Sequence, residues 1–208
     1  MNILHIICSP RPGSHSRHLS SAVVDRLIAG RPDARVTTRD LGRDPLPPVN
    51  HDFAESLSSP AALAAVVGTD IFDLSDQLIV ELERADILVI GTPMNNFTVP
   101  VTLKAWIDQV VRIGRTFMPS PAGKVGLLKD RPVFIAIASG GFFLGDNARQ
   151  PDFLTPYLTA ILGCIGLTDI RFLSLQGAAF LEPDRLATQR EELLRMVDAG
   201  ATRSDLAA

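Results

Sequence analysis

The chain has 208 residues, enough for one ordinary α/β domain with little left over. Hydrophobic residues make up 46% and charged residues 21%, the balance of a globular protein with a real core. The formal net charge of −3 argues against broad binding to nucleic acid, which needs a clustered basic surface, and it is too mild for an acidic electron carrier that docks by charge.

Asn2–Cys8 is a compact Ile-rich run followed by Ser, Pro and Gly, and it reads as a buried strand. Its apolar stretch is short, no Lys or Arg precedes it and a polar turn follows, so a first strand is expected and not a targeting segment. From Ser14 to Gly30 the apolar residues Leu19, Val23 and Leu27 recur every four positions; Ser14 or Ser16 can cap this helix, and Gly30-Arg31-Pro32 stops it. Ala34–Leu41 is a second strand whose Val36 stands among polar residues, which suits a sheet edge. Residues 42–68 are interrupted by Pro45, Pro47, Pro48 and Pro60, with a short helical piece at Ala61–Val67.

Thr69–Arg84 is a helix with Ile71, Leu74, Leu78 and Leu82 on its apolar face, and Asp86–Gly91 is the cleanest central strand. Pro100–Arg112 is a helix opened by proline, which the first turn tolerates. Gly114–Asp130 is a loop or short hairpin, and Pro132–Ala138 is another buried strand. A glycine-rich loop, a helix from about Phe153 to Leu162, a strand at Thr168–Ser174 and a terminal helix over Pro183–Val197 complete the order; the tail after Gly200 is expected to fray.

Strands alternating with helices predict a single α/β domain over residues 1–208, with a parallel sheet covered on both faces by right-handed crossovers. Five strands suit the doubly wound order 2-1-3-4-5, which puts a ligand beyond the carboxyl ends of strands 1 and 3. Three loops leave such ends: Ser9–Arg17, Thr92–Thr98 and Ser139–Gly145.

The first loop carries Ser9, Ser14, Ser16 and Gly13 at a helix start, where unpaired N–H groups favour an anion such as a phosphate monoester; the same serines could serve only as helix caps. It has neither G-x-x-x-x-G-K-[ST] nor G-x-G-x-x-G, which argues against nucleotide triphosphate and Rossmann dinucleotide sites. The second loop sets the amides of Asn95 and Asn96 beside Met94 and Phe97, the apolar and polar neighbours that a flavin ring needs, although an ordinary turn would also contain them. Ser139-Gly140-Gly141 lets backbone approach a flat ligand or makes a simple turn.

Other groups point to no chemistry. His5, His15, His18 and His51 form no metal-ligand spacing; His5 is expected on a strand and His18 on a solvent face. Ser9 lies outside any G-x-S-x-G elbow. Trp106 fits a core position, Lys104 and Asp108 a surface pair, and Glu81, Glu83, Arg84 and Asp86 a solvated helix end. Cys8 and Cys164 fit a reducing cytosol, and no run is long enough to span a bilayer.

Segments spread over most of the chain resemble the FMN-dependent NADH:quinone/azo reductases, the azoreductase group of flavodoxin-like proteins. They are Ser9–Leu19, Arg39-Asp40-Leu41, Leu74-Ser75-Asp76, Pro93–Phe97, Leu103–Asp108, Gly114–Phe117 and, most specifically, Thr155–Leu158, Leu162-Gly163, Ile165-Gly166 and Thr168-Asp169; residues 43–68 match poorly. The resemblance implies a three-layer flavodoxin-like fold and a cytoplasmic homodimer. It implies that Ser9, His15 and Ser16 hold the FMN phosphate, that Pro93, Met94, Asn95, Asn96 and Phe97 border the flavin ring, and that Ser139, Gly140 and Gly141 approach its pyrimidine side. The implied activity passes two electrons from NADH or NADPH through FMN to a quinone or azo acceptor in a ping-pong exchange, with no dedicated catalytic side chain. A flavin-binding electron carrier or redox sensor without pyridine-nucleotide turnover is the alternative.

Four positions depart from the group's pattern. Asn95 stands where tyrosine is common, Gly140 where arginine occurs, and Met118-Pro119 and Cys164 where aromatic residues occur, so the pocket's open face is less aromatic; Phe142 and Phe143 are candidates to compensate.

Overall fold

A computed structural model describes residues 1–204, with side chains to Val197. The sequence patterns become β1 (Asn2–Ile7), α1 (His15–Ile28), β2 (Arg35–Asp40), α2 (His51–Ser56), α3 (Pro60–Ala65), α4 (Asp73–Arg84), β3 (Ile87–Pro93) and α5 (Val101–Val110). The second half adds β4 (Phe117–Ser120), β5 (Gly123–Gly126), β6 (Val133–Ala138), α6 (Thr155–Cys164), β7 (Ile170–Leu175) and α7 (Pro183–Ser204). Five strands pair in parallel in the order β2-β1-β3-β6-β7, the expected 2-1-3-4-5, and β2 takes the edge.

Period-two alternation assigns the two faces of this sheet. Leu4 and Ile6 of β1, Leu88 and Ile90 of β3, and Val133, Ile135 and Ile137 of β6 face α4, α5 and α6, packing with Leu78, Leu82, Leu103, Trp106 and Leu158. Ile3, Val89, Phe134 and Ala136 face the other way, onto Leu19, Val23 and Leu27 of α1 and Leu194 and Val197 of α7. Strands buried on both faces explain why β1, β3 and β6 read as unbroken apolar runs.

Three expectations change. Residues 42–68 contain two one-turn-plus helices; Asn50 and Ser59 cap them by accepting from Phe53 N and Ala62 N. The 114–130 stretch takes the hairpin form the sequence allowed, β4 against β5, turning at Pro121-Ala122. Glu81 is not solvated: it pairs with Arg39, and Glu83 pairs with Arg115 at 3.0 Å. Arg131, buried, donates to the carbonyls of Leu82, Glu83 and Ala85, closing the carboxyl end of α4. The last helix runs past Val197 to Ser204; the expected fraying of the extreme tail lies outside the described residues. Trp106 is core and Lys104 pairs with Asp108 at 2.5 Å, as the helical spacing predicts.

Candidate functional site

The carboxyl ends of β1, β3, β6 and β7 surround a cleft of about 470 Å³. The first wall is Ser9, Pro10, Arg11, Ser14 and His15. Here the chain leaves β1, turns at Arg11–Ser14 with Ser14 N donating to Arg11 O at 3.2 Å, and enters α1. Ser14 occupies the N-cap position but makes no side-chain cap bond, so the serines do not act as caps. Its hydroxyl bonds instead to that of Ser16 at 2.9 Å, and the first-turn N–H groups keep their capacity for an outside anion. Ser16 is fully buried and supports Ser14 from behind, whereas Ser9, Ser14 and His15 line the cleft.

This loop is braced. Arg17 forms a two-pronged pair with Asp40 at 2.6 and 3.0 Å and donates a further bond to Ser9 O at 2.8 Å. The Arg17 guanidinium, despite partial burial, holds the Asp40 carboxyl below its usual range. Thr102 of α5 donates to Cys8 O at 2.8 Å, and Gly42, just past β2, lies so close that a Cβ there would stand under 3.0 Å from Ser9 O. Beneath, His5 Nε2 meets Ser20 Oγ at 2.9 Å; because the Ser20 hydroxyl donates to Arg17 O, His5 Nε2 is the donor in this pair.

Burial, with the nearby Arg17 cation, lowers the His5 pKa from 6.5 to about 4, against opposing pulls from Asp40 and Asp25. The unfolded chain therefore takes up a proton below pH 6.5 that the folded protein refuses until about pH 4. This contribution to stability is complete above pH 6.5 and drains away as the pH falls to 4. Denaturant titrations of wild type and His5→Gln at pH 7 and pH 5 should differ in their pH dependence by about 2 kcal/mol, wild type losing more. Equal losses would show that His5 titrates normally.

The second wall is Pro93, Met94 and Asn95. Asn95 and Thr98 exchange backbone bonds at 3.0 Å, while Asn96 (φ +47) and Phe97 (φ +70) form the left-handed tip between them, a type I′ geometry. Asn96 and Phe97 thus leave the cleft, and Phe97 O accepts from Phe153 N at 3.1 Å. A bulky residue at positive φ is strained, and this strain sits where Asn95 is aimed.

The third wall is Ala138, Ser139 and Gly140. Gly141 does not face the cleft; a Cβ there would collide with Gln150. Phe142 and Phe143 do not furnish an aromatic face: Phe143 is buried in the core, and Phe142 packs on Gly177. A fourth wall, Ala178 and Ala179, follows β7 and escaped the sequence reading. It is zipped to the third by Gly177 N to Gly141 O (3.1 Å), Ala178 N to Ser139 O (3.0 Å) and Ala179 N to Gly140 O (3.2 Å). Gln176 adds bonds to Phe143 N and Leu144 N, both 2.8 Å. The available signal was Gln176-Gly177 at a fifth carboxyl strand end.

The cleft therefore offers hydroxyls, an uncapped helix start and one arginine at one end. A thioether, an amide and close backbone form the other. That donor set fits a phosphate ester joined to a flat heteroaromatic ring, and so fits FMN. It offers no trio of His, Cys, Asp or Glu for a metal among the described residues. Burial raises the Cys8 thiol pKa, which removes it as a nucleophile at neutral pH.

A family model described as flavodoxin-like fold matches residues 1–199. FMN-dependent NADH:quinone oxidoreductase 4 of Pseudomonas fluorescens is 51% identical over 180 residues, covering 86% of this chain and 85% of its own. The FMN-dependent NADH:quinone oxidoreductase of Mesorhizobium japonicum is 32% identical over 209 residues, covering 100% and 99%. Among solved structures, an azoreductase from Bacillus anthracis strain Sterne superimposes with a TM-score of 0.82 at 24% identity, over 98% of this chain and 99% of its own. An FMN-dependent NADH-azoreductase from Bacillus anthracis strain Ames Ancestor, in complex with FMN, gives 0.79 at 22% identity, over 97% and 98%. These two share the fold.

Proposed function

The chain belongs to the FMN-dependent NADH:quinone oxidoreductase family of the flavodoxin-like fold, and from that premise we propose that it holds FMN in the four-walled cleft and passes two electrons from NADH to a quinone or azo acceptor. The observation that carries this reading is the uncapped start of α1, hydroxyl-lined by Ser9 and Ser14, at one end of a cleft whose other end is Met94, Asn95 and Gly140. FMN, when bound, supplies the two-electron chemistry that no side chain here supplies.

The protein's own part is to bind and orient. Ser9, Ser14 and His15 donate toward the phosphate, Ser16 steadies Ser14, and Arg11 brings the positive charge that a phosphate ester favours. Pro93, Met94 and Asn95 border the ring, and the Asn96-Phe97 tip fixes the aim of Asn95. Ser139 and Gly140 bring a hydroxyl and close backbone to the pyrimidine side. The four walls would leave room for one substrate at a time beside the cofactor, so donor and acceptor would take turns and the kinetics would be ping-pong.

A homodimer belongs to the same reading. Phe97, Val101 and Phe153 expose apolar side chains two to six residues beyond Asn95 or bonded to that turn, a surface that a second copy would cover. A cytoplasmic location is supported by two cysteines free of any disulfide, and no helix among the described residues is long and apolar enough to cross a membrane.

The test is an anaerobic NADH titration of FMN-loaded protein, followed in the visible spectrum. Bleaching of bound flavin, in a species sedimenting at twice 22.4 kDa, is the expected result. Retained flavin that neither NADH nor NADPH bleaches would make the protein a carrier or sensor, and a protein that retains no FMN would overturn the reading.

A further inference from the structure

We propose that Gln150 is a positioning residue that sets the Ser139 hydroxyl and the Met94 thioether against the flavin, and that position 141 is glycine in order to admit it. The proposal rests on the FMN reading above. Arg149 N donates to Phe142 O at 2.9 Å, which folds the long β6–α6 loop back on itself and delivers the next residue, Gln150, beside Gly141. A Cβ at 141 would stand under 3.0 Å from Gln150 Oε1, so any larger residue expels the amide.

Gln150 Nε2 carries two hydrogens and has two acceptors, Ser139 Oγ at 3.1 Å and Met94 Sδ at 3.1 Å. These atoms belong to two different walls of the cleft, the loops after β6 and β3. With one lone pair of Ser139 engaged by Gln150, the hydroxyl's own hydrogen is left to donate. Its present acceptor is Met94 Sδ at 3.9 Å, a long contact that a stronger acceptor readily displaces. A flavin pyrimidine edge becomes such an acceptor as the ring gains electrons. Gln150 therefore favours the reduced cofactor over the oxidised one without touching it, by holding Ser139 as a donor. Without Gln150, Ser139 is free to rotate and to present a lone pair instead, and Met94 loses its tether.

Three variants test this: Gln150→Met, which keeps length without the amide, Gly141→Ala, which displaces the amide, and both together. For each, the Kd of oxidised FMN, the reduction potential of bound FMN against a reference dye, and Tm are measured. Gln150→Met should bind oxidised FMN within about threefold of wild type and the reduced form about tenfold more weakly, a potential about 30 mV more negative for a two-electron couple. Gly141→Ala should give the same shift, and the double variant no more than either, because both remove one interaction. If Gly141→Ala does not fold, Gln150→Met decides alone. An unchanged potential, or equal weakening of both redox forms, overturns the proposal. Wild-type protein that retains no FMN would sink the FMN reading itself, a result separable from a Gln150 variant that binds FMN at wild-type potential.

Discussion

Ser14→Asp should abolish FMN binding at working concentrations while leaving the protein folded. Ser14 is buried at the N-cap of α1 and lines the cleft, with its hydroxyl bonded to that of Ser16. Aspartate is among the best N-cap residues, so the fold should hold its stability or gain up to about 1 kcal/mol. The same carboxylate, however, answers the first-turn N–H groups that the phosphate would otherwise use, and it faces the phosphate's negative charge across a few ångströms of partly desolvated space. Loss of charge-assisted bonds alone is worth about 1.5–3 kcal/mol, and the repulsion adds to it, so FMN affinity should fall by a factor of about 100 or more. Ser14→Asn, which can cap without charge, should lose far less. Fluorescence quenching of FMN on titration with each variant reads the difference. Affinity unchanged in Ser14→Asp would remove this loop from the phosphate site.

Gly42→Ala should damage both the fold and the site. The new Cβ would stand under 3.0 Å from Ser9 O, Ser9 C and Pro10 N, all backbone atoms of the first cleft wall. Backbone cannot rotate aside as a side chain can, and Ser9 O is already tied to Arg17 while Gly42 N donates to Ile7 O at 3.1 Å. Forced overpacking of this kind costs about 1–3 kcal/mol, more where neighbours are fixed. Tm should fall by several degrees, and FMN affinity should drop because Ser9 moves. Gly13→Ala is the control: a Cβ there meets nothing within 4 Å, so both measurements should stay at wild-type values. If the two variants behave alike, the close packing of β2's end against the cleft wall has no bearing on the site.

That contrast shows how far the sequence could be read. Gly13 stands inside a serine-rich loop, yet its place is open space, while Gly42 lies in a stretch with no motif and carries the steric constraint. The parallel sheet and its order were legible because period and run length are local properties: β3 is Ile-Leu-Val-Ile in any window, and burial on both faces follows from the helices that flank it. The first, second and third cleft walls were legible as well, since the chain order of strands and helices decides which loops meet. Within residues 42–68 the α3 piece was legible but α2 was not, because six residues held by the Asn50 cap and by the burial of Phe53 show no periodicity long enough to register.

What the sequence by itself determined is the set of elements, their stacking order and the chemical character of three loops, all of which depend on neighbours within a few residues. Only the tertiary structure decided which side chains of those loops face inward. The Asn96-Phe97 tip turns away because two left-handed residues reverse the chain there, and Gly141 turns from the cleft because Gln150, nine residues on, fills its place. Phe142 and Phe143 are drawn off by Gly177 and the core, and Ala178 and Ala179 enter because three backbone bonds zip the loop after β7 to the loop after β6. Each of these outcomes rests on a contact between segments that no local pattern links, since steric exclusion and hydrogen-bond pairing act at distances of a few ångströms whatever the separation along the chain.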